Sequence, residues 1–153
     1  MMFDRILVPL DGSEYSLKAL KLAVQIAKSH DSKKLALINV YSVTVPAYGF
    51  SELGGLGMNA EVYQAMLDAG RDNSAKTVGD GKNLAIAQGI SAELIETFSI
   101  EGHAVEEIVR TAKENEFDLI VMGHRGKGRF ETLLGSVSHG VTSHAPCPVL
   151  VVR

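Results

Sequence analysis

Short, uninterrupted apolar runs constrain this chain most. Ile6-Leu7-Val8, Leu119-Ile120-Val121 and Val149-Leu150-Val151-Val152 contain no polar residue, and Leu35–Val40 contains only Asn39. A strand with one face in water alternates apolar and polar side chains. A run without alternation is covered on both faces, as parallel strands are between two helical layers. Between the runs the period becomes helical: Leu17, Leu20, Val24 and Ala27 follow at spacings of three, four and three, a single helix face. Strand and helix patterns alternate five times. This predicts an α/β fold built on one doubly wound, five-stranded parallel sheet with helices on both faces. At 153 residues the chain suits one domain over 1–153.

The expected elements follow in order. The first strand covers Phe3–Pro9, where Pro9 lacks an N–H and ends the ladder. Asp11-Gly12-Ser13-Glu14-Tyr15-Ser16 turns into a helix that ends near His30, and Leu35–Val40 is the second strand. Tyr41–Asn59 is a long connection whose Tyr48, Phe50 and Leu53 suggest a lid or a partner surface as readily as a floppy excursion. Glu61–Ala87 is helical with Val62, Met66 and Ala69 on one face, and Gly79-Asp80-Gly81 predicts a break, since two glycines cost about 2 kcal/mol relative to alanine. Ala92–Ser99 mixes charge into its strand pattern, which suits a sheet edge. From Gly102 a helix turns Val105, Ile108, Val109 and Ala112 inward. Phe117–Met122 is the fourth strand, Val137–His144 a short helix with Ser136 at its N-cap, and Val149–Val152 the fifth strand.

The fourth strand leads into a glycine-rich, basic loop carrying His124, Arg125, Lys127 and Arg129. Strand, glycine loop and helix start together hold phosphate: glycines allow close approach, free N–H groups point inward, and the helix N-terminus favours negative charge. The spacing is neither the G-x-x-x-x-G-K-[ST] loop nor the G-x-G-x-x-G fingerprint. It is Gly123-x-x-Gly126, eight residues, then Gly135-Ser136. Asp11, beyond the first strand, reads either as a turn or capping residue or as an acceptor for an adenine amino group or a ribose hydroxyl.

The glycine pattern resembles the nucleotide-binding motif of the universal stress protein family, G-x-x-G, nine residues, G-[ST], with a middle spacer one residue shorter. Ile6-Leu7-Val8-Pro9-Leu10-Asp11-Gly12-Ser13 is also similar to that family's first-strand segment. The resemblance runs along nearly the whole chain. It implies strand order 3-2-1-4-5, which the polarity pattern also suits. It implies an ATP site (or ADP or AMP) with Pro9, Leu10, Asp11 and a backbone contact at Val40 toward the adenosine end. Toward the phosphates it implies Gly123, Arg125, Gly126, Gly135, Ser136, Val137 and Ser138, with Met122 beside them. It further implies a homodimer through the Val149–Val152 edge. In this order the first and fourth strands are neighbours whose connections leave in opposite directions, and ligands bind at such a switch point.

Other chemistry is sparse. No H-E-x-x-H or G-x-S-x-G is present. Nothing strongly activates an attacking water, so any ATP cleavage is expected to be slow. Mg²⁺ would bind through phosphates and water rather than in a protein cage. His30, His103, His124, His139 and His144 read as surface or capping residues, and the single Cys147 as a small buried hydrophobe. A net charge of −3 provides no basic field for nucleic acid or membrane. Asp4 and Arg5 interrupt any secretory signal, no apolar run approaches the ~20 residues that span a bilayer, and one cysteine favours the reducing cytoplasm. Two rival readings stand beside ATP signalling: an interaction module of the same fold without nucleotide, and an enzyme performing slow ATP cleavage or nucleotidyl transfer.

Overall fold

The computed structural model describes residues 2–43, 60–126 and 134–153. The expected Tyr48, Phe50 and Leu53 surface, together with Lys127 and Arg129, lies outside the described residues. Strands β1 (Arg5–Pro9), β2 (Lys34–Tyr41), β3 (Ile95–Glu101), β4 (Leu119–Gly123) and β5 (Val149–Val152) form one sheet in the order β3-β2-β1-β4-β5. All four pairings are parallel, with Leu7 opposite both Ala36 and Ile120. Helices α1 (Glu14–Ser29), α2 (Ala60–Ala87), α3 (Ala104–Glu114) and α4 (Ser136–His144) connect the strands.

Successive strand residues feed opposite cores. Ile6, Val8, Leu35, Leu37, Leu119 and Val121 meet α1 and α2 on one face. Leu7, Ala36, Ile38, Ile120 and Met122 meet α3 and α4 on the other. The central runs are apolar throughout because neither parity of side chain reaches water. Among the described residues edge strand β3 pairs only with β2, and its Glu96 accepts from Lys34 Nζ at 2.6 Å.

Three local expectations are overturned by packing. First, α2 runs unbroken through Gly79 and Gly81. A Cβ at Gly81 would lie 2.5 Å from Leu10 Cδ1 and 3.2 Å from Leu37 Cδ1, so this glycine lets the helix lie close on the sheet. The burial gained there outweighs the propensity lost. Second, the buried face of α2 is Ser74, Val78, Gly81 and Ala85, whereas Val62, Met66 and Ala69 are exposed. The sheet packs beneath the later turns of this helix, where Val78 and Ala85 join the core. Third, Leu17 is exposed, and α1 instead buries Ser16, Ala19, Leu20, Ala23, Val24 and Ala27. Small side chains on that face shorten the distance between helix and sheet. In α3 the fully buried face is Glu107, Ile108, Thr111 and Ala112, with Val105 and Val109 half-buried. Cys147 is half-buried against the second core, less enclosed than expected.

Among the described residues no helix is long and apolar enough to cross a membrane.

Candidate functional site

The site begins where β1 and β4 end side by side. The chain leaves β1 toward α1 on one face and leaves β4 toward α4 on the other. Between these exits opens a cavity of about 510 Å³, within the usual range for small-molecule sites. Its walls bring together the residues nominated from sequence. Pro9, Leu10 and Asp11 come from the end of β1, and Val40 from β2. Met122, Gly123, Arg125 and Gly126 come from the end of β4, and Gly135, Ser136, Val137 and Ser138 from the start of α4. Ile38, Ala104 and Ile108 complete an apolar floor.

Asp11 is held by its own turn. Its Oδ1 accepts from Ser13 N at 2.8 Å, and Gly12 takes φ +81°, a left-handed value that favours glycine. Ser13 then caps α1, its Oγ accepting from Ser16 N at 3.2 Å. The structure shows the turn-capping reading of Asp11 with one oxygen, and its Oδ2 faces the space where a Gly126 side chain would stand. Asn39, the one polar residue of the second run, proves to be a brace. Its Nδ2 donates to Leu10 O at 2.7 Å, fixing the backbone just before Asp11. A lone polar residue in an apolar strand was the signal for it.

The two ends of the glycine loop are stitched together. Gly135 N donates to His124 O at 2.8 Å, and His124 N donates to Val152 O at 2.8 Å. A Cβ at Gly135 would sit 3.0 Å from Arg125 Cα, so only a bare backbone passes there easily. Gly123 is tighter still, because a Cβ would meet Tyr15 Cβ at 2.8 Å and the Tyr15 carbonyl carbon at 2.9 Å. Both glycine anchors thus have steric reasons within this structure.

Helix α4 starts one residue earlier than expected. Gly135 is the N-cap and supplies no side-chain cap, and Ser136 is the first helical residue. Gly135 thus leaves the first-turn amides of Ser136 and Val137 without a side-chain cap, with the positive end of the helix behind them. Ser138 is only 2 % exposed, and its Oγ lies within hydrogen-bonding reach of His124 O at 2.6 Å and Gly135 O at 3.0 Å. Its hydroxyl thus braces the two ends of the loop against each other while the residue lines the cavity.

One aromatic residue lies elsewhere than expected, and another was not singled out from sequence. His124 is buried rather than a surface or capping residue; its ring sets edge-on to Tyr15 at 5.1 Å, and neither ring nitrogen has a hydrogen-bond partner. Tyr15, in the first turn of α1, accepts from Arg125 Nη2 at 2.9 Å and lies under its guanidinium at 4.7 Å. The other four histidines are exposed, as expected. Among the described residues no three His, Cys, Asp or Glu side chains gather as a metal site would require.

Comparison with known proteins accords with this geometry. The model of the universal stress protein family matches residues 2–153. The chain belongs to the universal stress protein family. A relative, universal stress protein YxiE of Bacillus subtilis, is 36% identical over 154 residues, covering 99% of this chain and 100% of the relative. Universal stress protein UspA from Lactobacillus plantarum superposes with a TM-score of 0.80 at 28% identity, covering 100% of this chain and 99% of that one. A universal stress protein solved in complex with cAMP gives a TM-score of 0.65 at 27% identity, covering 100% of this chain and 98% of that one. Family membership thus agrees with the strand order and the switch-point cavity derived above.

Proposed function

We propose that this universal stress protein binds an adenine nucleotide, ATP in the first instance, in the β1/β4 crevice and acts as a nucleotide-responsive regulator. One observation carries the reading. A single cavity is lined both by apolar Ile38, Val40, Ile108 and Met122 and by the start of α4, whose N-cap Gly135 has no capping side chain, beside Arg125. A flat base suits the first, and an anionic phosphate chain suits the second. The cAMP-bound relative supports an adenine nucleotide as the class of guest. Asp11 and the backbone at Val40 address the adenosine end. Gly123, Gly126 and Gly135 admit the phosphates to the amides of Ser136 and Val137. Mg²⁺, if carried, would be held through the phosphates and water, since no three acidic, His or Cys side chains gather among the described residues. The regulatory setting is the cytoplasm.

The regulator is a two-fold dimer. Among the described residues strand β5 pairs only with β4, and it carries Leu150 at 37 % exposure between partly covered valines. An apolar edge of this kind calls for a partner, and a second β5 supplies it.

Isothermal titration with ATP, ADP, AMP and cAMP tests the first proposal. Submillimolar affinity for at least one of them is expected, and no heat from any of them up to millimolar concentration defeats it. Light scattering tests the second: a monomer mass at micromolar concentration counts against the dimer.

A further inference from the structure

Arg125 is the described residue that brings a formal positive charge to the cavity wall. Long cationic side chains ordinarily sample many rotamers, and freezing one on binding weakens the complex. Here the side chain already has a fixed address. Its Nη2 donates to Tyr15 Oη at 2.9 Å, and its guanidinium carbon stands 4.7 Å from the Tyr15 ring centroid. Hydrogen bond and cation–π contact act on the same group from the same ring.

The ring itself is braced. Its own backbone abuts Gly123, where an added Cβ would lie 2.9 Å from the Tyr15 carbonyl carbon. His124 meets the ring edge-on at 5.1 Å, and Lys18 Nζ lies 5.5 Å from its centroid. Tyr15 does not line the cavity, whereas Arg125 does. The tyrosine therefore stands behind the arginine. On the far side, the Arg125 backbone lies against Gly135, the residue that opens α4, so the arginine is rooted beside the helix start and both line the same cavity.

From this geometry we infer that Tyr15 is a positioning residue for phosphate recognition: it holds the Arg125 guanidinium toward the phosphate end of a bound nucleotide and has no part in holding the base. The inference rests on the nucleotide reading above and adds a residue from α1 to it. No local sequence pattern signals this pair, because donor and acceptor are 110 residues apart.

The experiment compares adenosine, which lacks phosphate, with ATP, by titration calorimetry on the full chain. The variants are Tyr15→Phe, Arg125→Ala and the double variant. Tyr15→Phe keeps the ring and deletes the acceptor. It is expected to weaken ATP about three- to tenfold, the net worth of one ordinary hydrogen bond, because the lost contact acts on ATP only through Arg125. Adenosine affinity should change by less than about twofold. In the Arg125→Ala background, Tyr15→Phe should have almost no further effect on ATP, since the two residues act as one unit.

Thermal melts of each variant report whether the fold is intact. Should Tyr15→Phe melt far below wild type, Tyr15→Met, which retains bulk without an acceptor, must show the same selective loss. Equal weakening of adenosine and ATP, additive effects of the two substitutions, or tighter ATP binding by Tyr15→Phe each overturns the inference while leaving the nucleotide reading standing. Failure of the wild-type chain to bind either compound removes both.

Discussion

Helix α2 carries two glycines whose replacement by alanine should have opposite effects. At Gly79 an added Cβ meets nothing within 4 Å, so only intrinsic propensity changes. Alanine in place of glycine in a helix interior gains about 1 kcal/mol. For a chain of this size that raises the melting temperature by roughly 2–4 °C. At Gly81 the same gain is opposed by a collision, with Leu10 Cδ1 at 2.5 Å and Leu37 Cδ1 at 3.2 Å. Leu37 is fully buried and Leu10 only 4 % exposed, so neither can swing into solvent. Overpacking of this sort costs about 1–3 kcal/mol. The net expectation for Gly81→Ala is a loss of up to about 2 kcal/mol. Urea denaturation followed by circular dichroism at 222 nm should place the Gly79→Ala midpoint above wild type and the Gly81→Ala midpoint below it, at equal slope. Leu10 also lines the cavity, so any displacement it takes up should weaken nucleotide binding in the Gly81 variant alone. The reasoning is refuted if both variants stabilise the protein equally.

Further predictions concern the glycine loop and the lone thiol. Gly126→Ala would set a methyl group against Asp11 Oδ2 while Ser13 N still holds Oδ1, so the carboxylate must turn; calorimetry should show weaker ATP binding, and unchanged affinity would sink this. His124→Phe keeps the edge-on contact with Tyr15 and deletes two unpartnered ring nitrogens. It should raise stability by about 1 kcal/mol, because an unsatisfied buried polar group costs about that much or more, and a lowered melting temperature would contradict it. Burial, and secondarily the charge of Asp118, pushes the Cys147 thiol above its ordinary value. Alkylation at pH 8 should therefore run slower than for a free cysteine. The unfolded chain also releases this proton first, so stability should fall as pH rises through the ordinary thiol range and beyond; a reaction as fast as the free thiol's, or stability that rises there, speaks against it.

What the sequence determined by itself was the order of things along the chain. Apolar runs such as Leu119-Ile120-Val121 survive only where both faces are covered, so they declared a parallel sheet between helices before any contact was known. The glycines at 123, 126 and 135 and the acid at Asp11 sit at the ends of such runs, so topology alone carried them into one crevice. Tertiary structure decided what depends on distance between remote side chains. Gly81 reads locally as a helix breaker, but the branched chain of Leu10 beneath it makes a glycine necessary there. Leu17 fits the helical period yet faces solvent, because the smaller Ala19 and Ala23 let α1 settle closer to the sheet. Ser136 lost the cap to Gly135 because the returning loop is pinned to His124. His124 went inside, and Tyr15 took hold of Arg125, through contacts between residues about a hundred positions apart, for which no local pattern exists. Periodicity records which faces are covered; it holds no record of which side chain does the covering.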